Sequence, residues 1–270
     1  MALTWLRLDL RRRWRSLVVL ALLVALSAGV VLTAVAGARR GSTAFDRLWA
    51  RTLPATVTVL PNQPGFDWSK VEALPGVAAV GLFSVYYGAA VEGMDGVDMG
   101  FPLANAAGTR TVERPVMLAG RLASRVDEVL ASPHFMTAHH LRVGDPLTLH
   151  LSTPAQAAEG IDASQTPPVG PQVKVTITGV GRSPFFLDSP GDSGGILPTY
   201  AFFTKYRADI EGPGDATYIN AVVRLAGGEA AIPAFKADLA RVTGRSDIDV
   251  WDNYGSFGVA FKKGQAWRGR

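Results

Sequence analysis

Ser16 to Ala38 is a run of 23 residues, SLVVLALLVALSAGVVLTAVAGA, without one charged side chain. Wound as a helix it reaches roughly 34 Å, against about 30 Å of hydrocarbon in a bilayer. Nothing else in the sequence limits the fold so strongly, because a helix apolar on every side needs lipid or a large protein interior around it. A cleaved signal peptide is the competing reading. Ala34-Val35-Ala36 and Ala36-Gly37-Ala38 both fit a small-x-small cleavage site, but the apolar stretch exceeds the roughly 7–15 residues of a signal core. The expectation is an uncleaved transmembrane helix at 16–38, with the lipid bilayer as its first partner.

The flanks orient that helix. Residues 1–15 carry Arg7, Arg11, Arg12, Arg13 and Arg15 against Asp9, and positive residues stay on the cytoplasmic side. Arg39, Arg40, Arg47 and Arg51 follow the run, so the bias is modest. The large segment downstream contains no second candidate span. Ala73 to Val91 is uncharged, but Pro75 and Gly76 interrupt it and VAAVGLFSVYYGAAV has strand composition. These features predict a single-pass cell-membrane protein, N-terminus cytoplasmic and main domain extracytoplasmic. Leu3, Leu6, Leu10 and Trp14 share one helical stripe while Arg7, Arg11 and Arg15 share another. Residues 1–15 therefore suit either a basic amphipathic segment along the inner leaflet or an ordinary positive flank.

The net charge of +4 belongs to the ends. Residues 54–261 hold 14 basic and 21 acidic side chains, a sign that repels phosphate backbones and argues against nucleic-acid binding by the main domain. Cysteine is absent, which removes disulfides, thiol catalysis, Cys-ligated zinc and a lipidated cysteine together.

The body predicts an α+β fold. A stalk at 39–53, with Phe45, Leu48 and Trp49 among arginines, leads into the strand Ala55–Leu60. A short helix, Trp68–Leu74, then precedes a strand from Val77. The same order returns late in the chain. The strand Ala216–Leu225 comes before a helix placing Ile232, Phe235, Leu239 and Val242 on one face, and Asp247–Trp251 follows. Two such β-α-β units can pair into one split, mostly antiparallel sheet with helices on one face. Between them, residues from about 93 to 213 predict an inserted β-rich subdomain. Its strands are Pro115–Leu118, Glu128–Ser132, Leu147–Ser152 and Val173–Val180, and Pro133–Leu141 is a short helix. Ala155–Gln172 has too little apolar content to pack and is expected to be a polar loop.

Several of these pieces occur in a familiar order. Arg39-Arg40-x-x-Thr43-Ala44-Phe45-x-Arg47 after a single span resembles the N-terminal part of FtsX-like ABC-transporter permeases. Within the body, Gly120-Arg121 precedes Asp127-Glu128-Val129-x-x-Ser132, and Leu141-x-Val143-Gly144-Asp145 follows. With the strand Val173–Gly179 after them, these resemble the MacB-like periplasmic core domain. The resemblance covers essentially residues 3–261, so that 54–261 would be the extracytoplasmic core domain and 262–270 a basic tail. It implies mechanical coupling, in which a cytoplasmic ABC ATPase closes on ATP and the first span with its stalk moves the outer domain. Permeases of this family continue into at least three further spans, whereas the sequence ends at Lys262-Lys263-Gly264-Gln265-Ala266-Trp267-Arg268-Gly269-Arg270. The expectation is a truncated fragment, or a half that works with spans on another chain.

Chemical motifs give little. Gly191-Asp192-Ser193-Gly194-Gly195 and Thr137-Ala138-His139-His140 imitate chymotrypsin-like proteases. His139 and Ser193 lie 54 positions apart, where that mechanism's template separates them by roughly 140. The loop is better explained by its turn-forming residues. His134, His139 and His140 lack the i, i+4 register of a helical metal pair, and His150 sits on the polar face of a strand. No phosphate loop occurs, Gly179-Val180-Gly181 lacks a third glycine, and Met94-Asp95-Gly96-Val97-Asp98 lacks calcium-loop spacing. Phe185-Phe186-Leu187 could form an exposed apolar tip. The sequence therefore predicts a non-enzymatic piece of an ABC permease, with no catalytic residue, metal or cofactor. A single-anchor surface binding module independent of an ATPase is the alternative, and a secreted hydrolase using Ser193 is a third reading.

Overall fold

The computed structural model describes residues 2–94, 98–99, 102–184, 194–213 and 218–255. The chain begins with one unbroken helix, α1 (Ala2–Ser42), of 41 residues. The basic segment and the apolar run are therefore one continuous element, about 60 Å long. After a turn at Thr43 a second short helix, α2 (Ala44–Arg51), leads into the domain.

The first sheet has four strands, β1 (Val57–Leu60), β2 (Val77–Ser84), β10 (Ile219–Leu225) and β11 (Asp249–Asp252). Their order is β11-β1-β10-β2, and every neighbouring pair is antiparallel. Each β-α-β unit therefore places its two strands astride a strand of the other, the split arrangement expected from the repeated pattern. Alternation explains the faces. Val57 and Val59 are fully buried beneath α3 (Ser69–Glu72) and α8 (Ile232–Thr243), in a core with Val71, Leu74, Phe235 and Leu239. Ile232 and Val242 complete the stripe of α8. Gly244, at φ 69°, ends that helix in a left-handed turn. The opposite face packs Phe83, Val112 and Val222 with Ala55. It is covered by residues 102–112, which bridge back to β2 through Phe83 and Leu103.

The second sheet is organised by β8 (Gln172–Arg182), long enough for three partners. β7 (Pro146–His150) lies antiparallel to its first half, β6 (Glu128–Ala131) runs parallel to its middle, and β5 (Val116–Gly120) is antiparallel to its end. β3 (Ala90–Val91) extends the sheet beyond β7. β9 (Gly195–Pro198) and β4 (Asp98–Met99) extend it beyond β6. Val173, Val175 and Ile177 alternate into a core with Phe135 of α4 (Pro133–Ala138), Phe202 of α6 (Tyr200–Lys205) and Ile210 of α7 (Arg207–Glu211).

One local expectation is overturned. Ala155–Gln172 is not all loop, because Pro154–Glu159 forms α5 with Ala157 buried. The helix is made by its ends. Thr153 and Gln156 form a reciprocal capping box, Pro154 occupies the first turn, and Gly160 closes it at φ 66°. Short helices of this kind are set by caps, and apolar content alone does not reveal them.

Candidate functional site

The span is a bare apolar rod. Val18–Gly37 is long and apolar enough to cross a membrane, with none of it buried against the described residues. Its two hydroxyls are already satisfied, since Ser27 donates to the Leu23 carbonyl at 2.8 Å and Thr33 to that of Gly29 at 2.7 Å. Neither leaves a polar group unpaired for lipid to penalise. This is a membrane-anchoring element.

Beyond the span, hydrogen bonds carry the helix across its turn. Thr43 donates to the Arg39 carbonyl through both its amide and its hydroxyl, and the Arg47 amide and guanidinium both donate to Thr43. At the far end of α2, Thr52 is completely buried and its hydroxyl donates to the Leu48 carbonyl at 3.0 Å. Leu53 then takes a positive φ of 47° and turns the chain into the domain.

Three side chains fasten that entry. Glu113, buried in the loop before β5, accepts the Ala55 amide at 2.7 Å, while its own amide donates to the Leu53 carbonyl. Asn253, just after β11, accepts the Thr58 hydroxyl at 2.7 Å and donates to the Ala55 carbonyl at 3.3 Å. Tyr254 closes back on the stalk, where its ring meets Trp49 edge-on at 5.2 Å and its hydroxyl donates to Asp46 at 2.8 Å. The helix entering the domain and the last described strand leaving it are thus joined side by side. Trp49 was visible in the sequence as a stalk residue. Glu113, Asn253 and Tyr254 carried no signal there, because each partner is distant in the chain.

The motif residues of the body have a different role. Arg121 grips Glu128 with two nitrogens, at 2.5 and 2.9 Å, and the Ser124 and Arg125 amides donate to the same carboxylate. The Arg121 bonds hold the Glu128 carboxyl well below the usual carboxylate range; desolvation works against them, and the two amides add to them. Ser132 caps α4 and also accepts the Gly195 amide at 3.1 Å, tying β6 to β9. Asp145 accepts the Arg142 amide, and Gly144 donates to the Ile177 carbonyl, which closes the turn before β7. Gly179 must lack a side chain because a Cβ there would collide with the Arg121 carbonyl. Arg121, Glu128, Ser132, Gly144, Asp145 and Gly179 of the resemblance thus build the second sheet and its turns through structural partners.

The remaining candidates are dispersed. His139 packs on the Phe135 ring at 4.9 Å, His140 turns the chain at φ 55°, and His150 lies on β7 opposite Ala90 and Gln172. Among the described residues no group of three or more His, Cys, Asp or Glu could hold a metal ion. Gly179-Val180-Gly181 falls inside β8, away from any helix start. Asp192 and Ser193, the Phe185-Phe186-Leu187 tip, and Asp95 to Val97 lie outside the described residues.

By these elements the chain is an α+β protein with, among the described residues, one membrane-anchoring helix and a two-sheet domain beyond it. In this arrangement it is similar to MacB-like and permease domains of known structure. The periplasmic region of MacB from Actinobacillus actinomycetemcomitans matches with TM-score 0.46 and 11% identity, covering 76% of this chain and 92% of that one. A permease domain from Porphyromonas gingivalis matches with TM-score 0.38 and 14% identity, over 73% and 87%. The extracellular domain of the noncanonic ABC-type transporter YknZ from Gram-positive bacteria matches with TM-score 0.38 and 14% identity, over 72% and 99%. No family model and no curated protein matches the chain.

Proposed function

We propose that the chain is the membrane-anchored N-terminal part of an ABC transporter permease, and that it carries movement rather than chemistry. Its N-terminus faces the cytoplasm, and the domain from residue 54 to 261, with an inserted subdomain at about 93–213, lies outside. An ATPase on another chain, together with further spans, supplies the movement. The observation that carries this reading is the clasp of Tyr254 on Asp46 and Trp49. A stalk held only through one backbone link would pivot freely. A stalk fixed also to the exit of β11, with Glu113 and Asn253 bracing β1 between them, passes displacement of the span into the first sheet.

The test uses the full chain in its native membranes. Because the chain has no cysteine, single cysteines introduced at Thr4 and Gln165 report sidedness without background. Labelling of Gln165→Cys by an impermeant reagent in intact cells, with Thr4→Cys protected, is the expected result, and the reverse pattern overturns the orientation. Gentle solubilisation should then recover an ABC ATPase with the chain. A spin-label distance between α1 and β10 of that complex should change on adding ATP in wild type, and less in Tyr254→Ala. Recovery without any ATPase overturns the reading and favours the surface binding module that acts alone.

A further inference from the structure

A cavity of about 420 Å³ opens between the 102–112 segment and the second sheet. One wall is the 102–112 segment laid on the first sheet. The other comes from the loop after β5 together with β9 and α6 of the second. Leu103, Leu122, Leu130 and Leu197 give it an apolar interior. That size lies within the usual range for small-molecule sites, roughly 300–1,000 Å³.

The polar lining is unevenly committed. The Thr199 hydroxyl donates to the Arg125 carbonyl and caps α6, so it is occupied by the fold. Ser124 uses its amide and hydroxyl on Glu128. Arg110 and Lys205 are different, since both line the cavity and both are exposed. Neither forms an ion pair with a described residue; the Lys205 ammonium lies 5.2 Å from the Tyr206 ring centre. No Asp or Glu is among the described lining residues. These are two unneutralised cations beside leucine walls, in a body whose charge is otherwise negative. A neutral apolar ligand would gain nothing from them, and a fully hydrated anion would gain nothing from the leucines.

We infer that this cleft binds a single-chain anionic amphiphile, its aliphatic chain on the leucines and its carboxylate between Arg110 and Lys205. Because one wall is the segment laid on the first sheet and the other belongs to the second sheet, an occupant would bridge them. This inference stands apart from the coupling reading, since it requires neither an ATPase nor an orientation of the span.

The experiment is equilibrium dialysis of radiolabelled dodecanoate against the full chain in nanodiscs of neutral lipid, with empty nanodiscs subtracted. Saturable binding near one per chain is expected. Arg110→Gln/Lys205→Gln should weaken it by about tenfold or more, the loss expected when a carboxylate's charge-assisted bonds are removed. Dodecanol should bind wild type and that variant equally, because only the carboxylate senses the cations. Ala201→Trp, which fills the cleft, should remove both ligands. Should that variant fail to fold, the exposed Gln pair decides alone. Absence of saturable binding overturns the inference, and so does saturable dodecanoate binding that the Gln pair leaves unchanged.

Discussion

The two sheets use their polar residues in opposite ways. In the second, Arg121 with Glu128 and Asp145 with Arg142 bond across 7 and 3 positions, and Ser132 caps its own helix 3 positions on while also taking the Gly195 amide 63 positions away. In the first, Glu113, Asn253 and Tyr254 reach across 58, 195 and 208 positions to the chain's entry. The first set produces a recognisable motif because local geometry demands fixed spacing. The second set produces none, although it is the set that connects the membrane helix to the domain. A resemblance that rests on the first set thus reports architecture, and it says little about the contacts through which the domain would be moved.

The largest effect should come from emptying one core and watching the other. Phe135 is fully buried in the second sheet's core, and Phe235 is nearly so in the first. Replacing either by alanine should cost about 3–5 kcal/mol. Hydrogen exchange would then sharpen the comparison. Phe135→Ala should accelerate exchange in β7 and β8 while β1 and β10 keep their protection, and Phe235→Ala should do the reverse. Equal loss across both sheets after either substitution would break the picture of two units and make the domain a single cooperative one.

A smaller effect, of about 2 kcal/mol, is expected for Glu128→Gln, which removes a charge-assisted pair while keeping the shape. Its sign with pH follows from the depressed carboxyl. Because folding lowers that group's pKa, its contribution is complete above the unfolded value of about 4.3 and is lost as pH falls through the folded value. The stability gap between wild type and Glu128→Gln, measured by urea unfolding, should therefore be constant near neutrality and shrink below about pH 4. A gap that widened in acid would show that the Arg121 pair does not govern this carboxylate. Thr153→Ala should cost less, about 1 kcal/mol, through loss of the α5 cap, and should raise exchange in 154–159 alone.

The legibility of this molecule follows the same division. The span and both β-α-β units could be found from hydrophobic period because their faces are continuous, as Val57 with Val59 and Phe235 with Leu239 illustrate. The α5 helix was hidden, since six residues cannot display a period and its signal is the Thr153–Gln156 box. β9, α6 and α7 were hidden for a related reason, because β9 is defined by its pairing with β6 and the buried side chains of α6 and α7 by the shared core they join, rather than by a pattern of their own. The clasp at the stalk was least visible. A tyrosine at 254 and an aspartate at 46 carry no shared spacing, and only the return of β11 beside β1 brings them together.

That clasp also gives the smallest energetic prediction and the one most specific to the comparison. Tyr254→Phe keeps the ring against Trp49 and deletes one exposed hydroxyl bond to Asp46, so its cost should be about 0.5–1 kcal/mol. Tyr254→Ala removes the edge-on ring contact as well and should add about another 0.5–1.5 kcal/mol. Neither should move the urea midpoint of the second sheet, whose contacts are elsewhere. The informative readout is geometric. A pair of spin labels on Ala50 and Lys236 should give a narrow distance distribution in wild type, a slightly broader one in Tyr254→Phe, and a clearly broad one in Tyr254→Ala. A distribution equally narrow in all three would mean that Glu113 and Asn253 alone fix the stalk, which would move the proposed coupling from the exit of β11 to the entry of β1.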